Sequence, residues 1–254
     1  MKSYIAFTKK ELLEAGRTYK LMIMVVVFLI LGFMNAPTAK FTPEIVNQFM
    51  PAGMEITLAE PTLLDSWTQF FKNVPQMGII VMVLVFSGML ANEINRGTLI
   101  NILTKGMGRK TVILSKYTAA AAIWTICYTL SFLTTLLYNQ FFWQEGEVYQ
   151  LVFSVSCVWL FGMFLISCLM LGGSLFKSGY GSLLLTGGIF VIMLILNMLQ
   201  TIAKYNPLRL ITVNMELLTN GVKQSEVYLA AGITAGLTVL ILGAGMLVFD
   251  KKRL

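Results

Sequence analysis

Stretches free of Asp, Glu, Lys and Arg dominate the chain and alternate with short polar segments. They run 21–39, 73–92, 117–144, 148–176, 178–203 and 227–249. Each matches or exceeds the ~20 residues a helix needs to cross the hydrocarbon core of a bilayer. Six membrane helices are therefore predicted, at about 21–39, 73–92, 117–139, 150–173, 179–200 and 227–249. The first is the shortest in dense apolar content, Leu21 to Met34, and Lys20 can snorkel to extend it. The small residues at 36–39 also fit a signal-peptide cleavage site. The 20 residues ahead of Leu21, with Glu11 and Glu14 among them, instead favour a retained span.

The polar segments carry their own periodicity. At 100° per residue, Tyr4, Ile5, Thr8, Leu12, Ala15, Gly16 and Tyr19 share one helical face, and Lys10, Glu14 and Arg17 lie opposite. Residues 3–19 are thus predicted to form an amphipathic helix in the membrane surface, with Phe7 off its apolar face. Segment 40–72 holds Pro43, Pro51 and Pro61 with Met50, Met54, Glu55, Trp67, Phe70 and Phe71. Short helices lying on the interface are expected there, Trp67 among their anchors. In 204–226, Asn206-Pro207 marks a break before an amphipathic Leu208–Leu218 stretch.

Segment 93–116 is the most informative of the connections. A helix is expected from Thr98, its hydroxyl acting as cap, to about residue 105. Leu99, Ile102 and Leu103 form one apolar face, Gly97 allows a turn before the helix, and Gly106 and Gly108 allow one after it. Arg109, Lys110 and Lys116 then face the membrane surface. A short helix of this kind suits a groove on a soluble partner. A basic loop beside anionic lipid explains the charges equally, but not the Gly97-Thr98-Leu99 run.

Charge fixes the orientation of the spans. With the N-terminus inside, 14 of the 19 Lys and Arg residues fall on the inner side and 8 of the 12 acidic residues on the outer. Both termini are then expected in the cytoplasm. Composition agrees: 57% of residues are hydrophobic, 12% are charged, and the mean hydropathy is +0.76. Soluble domains carry roughly 25% charged residues, so a cytosolic enzyme or nucleic-acid binder is excluded despite the net charge of +7. Cys127, Cys157 and Cys168 lie inside apolar runs without metal or disulfide spacing, and there is no histidine. No catalytic, cofactor or metal residue is predicted.

Gly106-Met107-Gly108-Arg109-Lys110-Thr111 looks like a phosphate loop but has Arg where glycine must precede the lysine. The spans carry no mid-membrane charge of the kind ion-coupled transporters use. Asn197, Gln200 and Ser167 are expected to hydrogen-bond between helices. Gly232 and Gly236 form a GxxxG pattern expected chiefly to pack within the chain.

The chain as a whole resembles the permease subunit of type-2 ABC exporters. The resemblance rests on Glu93-x-x-x-Gly97-Thr98-Leu99, Leu103, Gly108-Arg109, Ser115-Lys116-Tyr117 and the closing Phe249–Arg253 run. It implies one all-α membrane domain over 1–254, with an elbow helix in 1–20 and re-entrant outer helices near 200–226. It also implies a coupling segment at 93–116, in which Glu93, Gly97, Thr98, Leu99, Ile102, Leu103 and Arg109 meet a separate ATP-binding subunit. ATP and Mg would be bound on that partner, and two permeases, as a homodimer or pseudo-dimer, would assemble with two such subunits in the plasma membrane. Segment 40–72 is long for the family, as in members that export peptides or give antimicrobial resistance. Its methionine and aromatic content, and the uncharged spans, point to an apolar or amphipathic cargo. The other reading is a membrane-embedded enzyme or sensor without a nucleotide site.

Overall fold

The computed structural model describes residues 2–48, 60–104, 106–143, 146 and 148–252. Met50, Pro51, Met54 and Glu55 of the long 40–72 segment lie outside them. Among the described residues the secondary structure is helical, and six stretches are long and apolar enough to cross a membrane. In chain order they are α2 (Lys20–Gln48), a compound span over Leu63–Asn95, α7 (Arg109–Phe142), α8 (Leu151–Leu175), α9 (Gly179–Asn197) and α13 (Tyr228–Lys251).

Several ends differ from those predicted. α2 continues nine residues beyond 39, through Pro37 and Pro43. Neighbouring helices let a membrane helix tolerate such breaks in its hydrogen-bond ladder. The second span begins at Leu63 rather than 73, as α3 (Leu63–Asn73). Thr62 starts it, donating its N–H and hydroxyl to Asp65 Oδ2 at 2.8 and 2.7 Å. Trp67, Phe70 and Phe71 of α3 are buried against one another rather than resting on the interface as expected. Pro75 then falls inside the continuing helix, where it has no N–H to donate. The backbone widens into a π turn (Val74–Gly78) before α4 (Ile79–Phe86), as π turns often do where the regular ladder fails. α7 has 34 residues, about 51 Å at 1.5 Å per residue. That exceeds a hydrocarbon core of ~30 Å, so the helix projects beyond it.

α2 packs along α7, and α13 and α9 pack along α8. The centre is aromatic. Trp124 stacks on Tyr128 with ring centroids 5.0 Å apart, and Phe28 meets the indole edge-on. Gly162 is required there: a Cβ at that position would sit 2.4 Å from the Trp124 ring. Asn35 links three helices by donating to Thr135 Oγ1 (3.0 Å) and accepting from Asn73 (3.0 Å). The polar residues expected to bridge helices do not do so here. Ser167 instead bonds within its own helix, to the Phe164 carbonyl, and Gln200 is exposed.

After α9, the chain makes α10 (Gln200–Ala203), α11 (Arg209–Thr212) and α12 (Asn214–Leu218). Asn206 fixes the break, donating to the Met193 carbonyl and accepting from Leu208 N–H. Leu210, Leu217 and Leu218 are buried as α11 and α12 pack onto α8. The GxxxG expectation for α13 is corrected: Gly232 and Gly236 are exposed, with nothing within 4 Å of a built Cβ. It is Gly245 that lies against α8, where a Cβ would sit 3.4 Å from Leu171 Cα.

Candidate functional site

We call the end of the bundle holding both chain ends the base. There the compound span finishes in α5 (Ala91–Asn95), turns at Gly97, and enters α6 (Thr98–Thr104). Gly97 has φ +68°, the left-handed conformation that glycine adopts without steric cost. Its N–H donates to the Ile94 carbonyl, closing the turn as the sequence predicts. The Thr98 hydroxyl donates backwards to the Glu93 carbonyl at 3.2 Å.

Leu99 is fully buried. It points into the chain's own core, with Ile102 and Leu103 partly buried against the same cluster. The face expected to meet a partner is thus mainly an internal anchor. Ile100, on the other side of α6, is 44% exposed.

Glu93 and Arg109 were expected at the rim of a partner contact, and both are engaged inside the chain instead. Arg109 Nη1 faces the Phe249 and Asp250 carbonyls at 3.2 and 3.0 Å, and also the Lys252 carbonyl. It fastens the start of α7 to the end of α13. Lys252 in turn donates to the Ser174 carbonyl at 2.7 Å, fastening the end of α8. Burial lowers the Lys252 pKa, and Lys177 nearby adds to the effect. Cations at helix C-termini also complement the helix dipole.

Glu93 belongs to an ion-pair network that sequence reasoning missed. Lys10, on α1 (Lys2–Arg17), lies 3.0 Å from Glu11 Oε1, 2.5 Å from Glu14 Oε2 and 2.9 Å from Glu93 Oε1. Lys116, on α7, lies 2.8 Å from both Glu11 Oε2 and Glu93 Oε2. The Lys116–Glu93 contact pairs charges without the alignment of a hydrogen bond. Lys116 and Glu11 are only 1% and 3% exposed at the side chain. Phe7 underlies the network, its ring 5.2 Å from Lys10 Nζ and 5.7 Å from Lys116 Nζ. Tyr4 OH and Thr118 Oγ1 add a hydrogen bond of 2.7 Å between α1 and α7.

α1 packs against the bundle through a stripe distinct from the face expected to meet the membrane surface. Phe7, Glu11 and Ala15 are buried, while Ile5, Leu12 and Tyr19 are exposed. The spacing i, i+4, i+8 was present in the sequence, but it placed a carboxylate in the middle of the buried stripe. Burial by itself disfavours the Lys10 charge. Hydrogen bonds to Glu14 and Glu93, with the field of Glu11, outweigh it and hold the pKa above the usual lysine range. Glu11, Glu14 and Glu93 stand close enough to share a cation. Their oxygens already face two ammonium groups, and these ion pairs hold the helices together.

A family model described as "ABC-2 family transporter protein" matches residues 5–254, which take in the whole network and all six spans. The chain is also similar to the uncharacterized transmembrane protein YxlG of Bacillus subtilis (strain 168). The two are 22% identical over 180 residues, 70% of either chain.

Proposed function

The chain belongs to the ABC-2 transporter family, and we propose that it is the permease subunit of an ATP-driven exporter. The observation that carries this reading is the base. α6 stands at the end of a long span, exposes Ile100, and is tied through Glu93 to α1 and α7. A partner that pushes on α6 moves a rigid junction of three elements rather than a loose loop. Arg109 and Lys252 extend that junction to α13 and α8. The partner is an ATP-binding subunit carrying ATP and Mg, since the Gly106–Thr111 stretch lacks the glycine a phosphate loop needs. The base faces the cytoplasm, the membrane is the plasma membrane, and two permeases work together as a homodimer or pseudo-dimer.

The cargo in this reading is apolar or amphipathic: a peptide, a lipid-like compound or a drug. An apolar cavity of about 480 Å³ supports it, lined by Ile80, Leu84, Phe161, Leu183, Phe190 and Ile211 between α4, α8, α9 and α11. Such a lining suits apolar groups and offers little to a small ion. The test is reconstitution. The purified chain is expected to hydrolyse no ATP alone, to co-purify with an ABC ATP-binding subunit, and to gain ATPase activity stimulated by an amphipathic peptide or drug. Robust hydrolysis by the isolated chain, or failure to retain any such subunit, overturns the reading.

A further inference from the structure

A second cavity opens at the base of the bundle. It measures about 460 Å³ and lies between the start of α2, the end of the compound span and the start of α9. Its polar lining includes Lys20, Ser87, Asn92, Asn95 and Ser178. Gly88 and Gly179 bring the two spans together: a Cβ on Gly179 would lie 3.2 Å from Gly88 Cα, and Asn92 sits over both. Ser87 and Ser178 have partners within the chain. Among the described residues, the ammonium of Lys20 and the amides of Asn92 and Asn95 have none.

Glu11, Glu14 and Glu93 attract Lys20 and Lys116 repels it, all at longer range. Every short contact of those carboxylates goes to Lys10 or Lys116. Lys20 is thus a cation without a bonded anion, beside two amides with N–H groups to give, in a cavity at the end of membrane helices. Along the helices from it, Ile23 of α2, Leu84 of α4 and Leu184 of α9 are exposed, and Tyr180 stands at the rim. Those apolar surfaces continue the cavity in the direction that acyl chains run.

We propose that this cavity binds the headgroup of an anionic phospholipid, with its phosphate on Lys20 and the Asn92 and Asn95 amides and its chains along α2, α4 and α9. Basic pockets between membrane helices bind anionic headgroups by this chemistry. The site requires only membrane embedding, so it stands or falls separately from the transport reading.

The experiment uses the full chain in nonionic detergent and native mass spectrometry. It is titrated with phosphatidylglycerol and with phosphatidylcholine of the same acyl chains. Wild type is expected to retain phosphatidylglycerol in preference. Lys20→Gln should weaken that binding on the order of tenfold, the worth of one charge-assisted hydrogen bond. Lys20→Arg should keep most of it, and Lys9→Gln, an exposed lysine elsewhere on the base, should change nothing. Asn92→Asp, which adds a like charge to the cavity, provides the same loss should Lys20→Gln unfold. Equal retention by wild type, Lys20→Gln and Asn92→Asp overturns the proposal, as does equal binding of the two lipids. Displacement of phosphatidylglycerol by inorganic phosphate, with the same dependence on Lys20, makes this a free-anion site and overturns the lipid assignment.

Discussion

Lys116 holds one buried carboxylate, Glu11, and one largely buried one, Glu93. Glu11 and Glu93 come from different elements, 105 and 23 residues away in sequence. Each would be costly to bury without a counter-charge. Replacing Lys116 by Met leaves both facing Lys10 alone, and the expected loss of stability is about 3–5 kcal/mol. Lys10 touches three carboxylates but is 41% exposed. Solvent screens its pairs, so Lys10→Met is expected to cost under about 1 kcal/mol. Thermal or denaturant unfolding of the two variants in detergent checks the order, and a larger loss for Lys10→Met contradicts the burial argument. Gly97 poses a different question, since a side chain there meets only Ile100 Cδ1 at 3.9 Å. Space is available, and the cost lies in the backbone at φ +68°. Gly97→Ala is expected to destabilise by about 1–2 kcal/mol, and Gly97→Asn by less, because asparagine visits the left-handed region more readily. Equal losses for the two would place the cost in packing instead.

At the scale of elements, α6 separates two jobs that sequence spacing had merged. Its seven residues include Leu99, Ile100, Ile102 and Leu103, which at 100° per residue spread over an arc of about 160°. Periodicity therefore could not choose which side turns inward. The structure does: Leu99 goes inside and Ile100 outside. In the coupling reading, Ile100→Asp should leave folding intact and weaken retention of the ATP-binding subunit in a pull-down. Leu99→Asp should lower the yield of folded protein, because it puts a carboxylate into the buried apolar cluster. Unchanged subunit binding and unchanged transport in Ile100→Asp would remove α6 from the interface. The turn at Gly97 was legible because glycine has a conformational signature of its own. The Lys10, Glu11, Glu93 and Lys116 network was not, because no local pattern announces a pairing between residues so far apart. For the same reason α3 was placed on the interface: an amphipathic, aromatic helix looks alike whether its apolar face meets lipid headgroups or a neighbouring helix.

At the scale of the whole molecule, the six spans were readable because the bilayer demands about 20 apolar residues per crossing and charge cannot hide in them. Their ends were less so, because a helix continues past the hydrocarbon wherever a neighbour supports it, as α7 supports α2. The proposed orientation rests on charge alone. An even number of crossings puts both chain ends on one side, and 14 of the 19 basic residues share that side. Cytoplasmic segments accumulate Lys and Arg because moving them across during insertion is unfavourable. Single cysteines placed at Glu60, ahead of α3, and at Lys223, ahead of α13, in a background lacking Cys127, Cys157 and Cys168, should react with a membrane-impermeant maleimide added to intact cells. A cysteine at Arg96, beside the Gly97 turn, should react only after the cells are opened. The native three are buried, so serine or alanine in their place removes background without touching the exposed surface. Labelling of the Arg96 position in intact cells, with protection at Glu60 and Lys223, would invert the molecule. It would also put α6 on the side where no ATP-binding subunit can reach it, so this one assay tests the premise of the coupling reading before any partner is in hand.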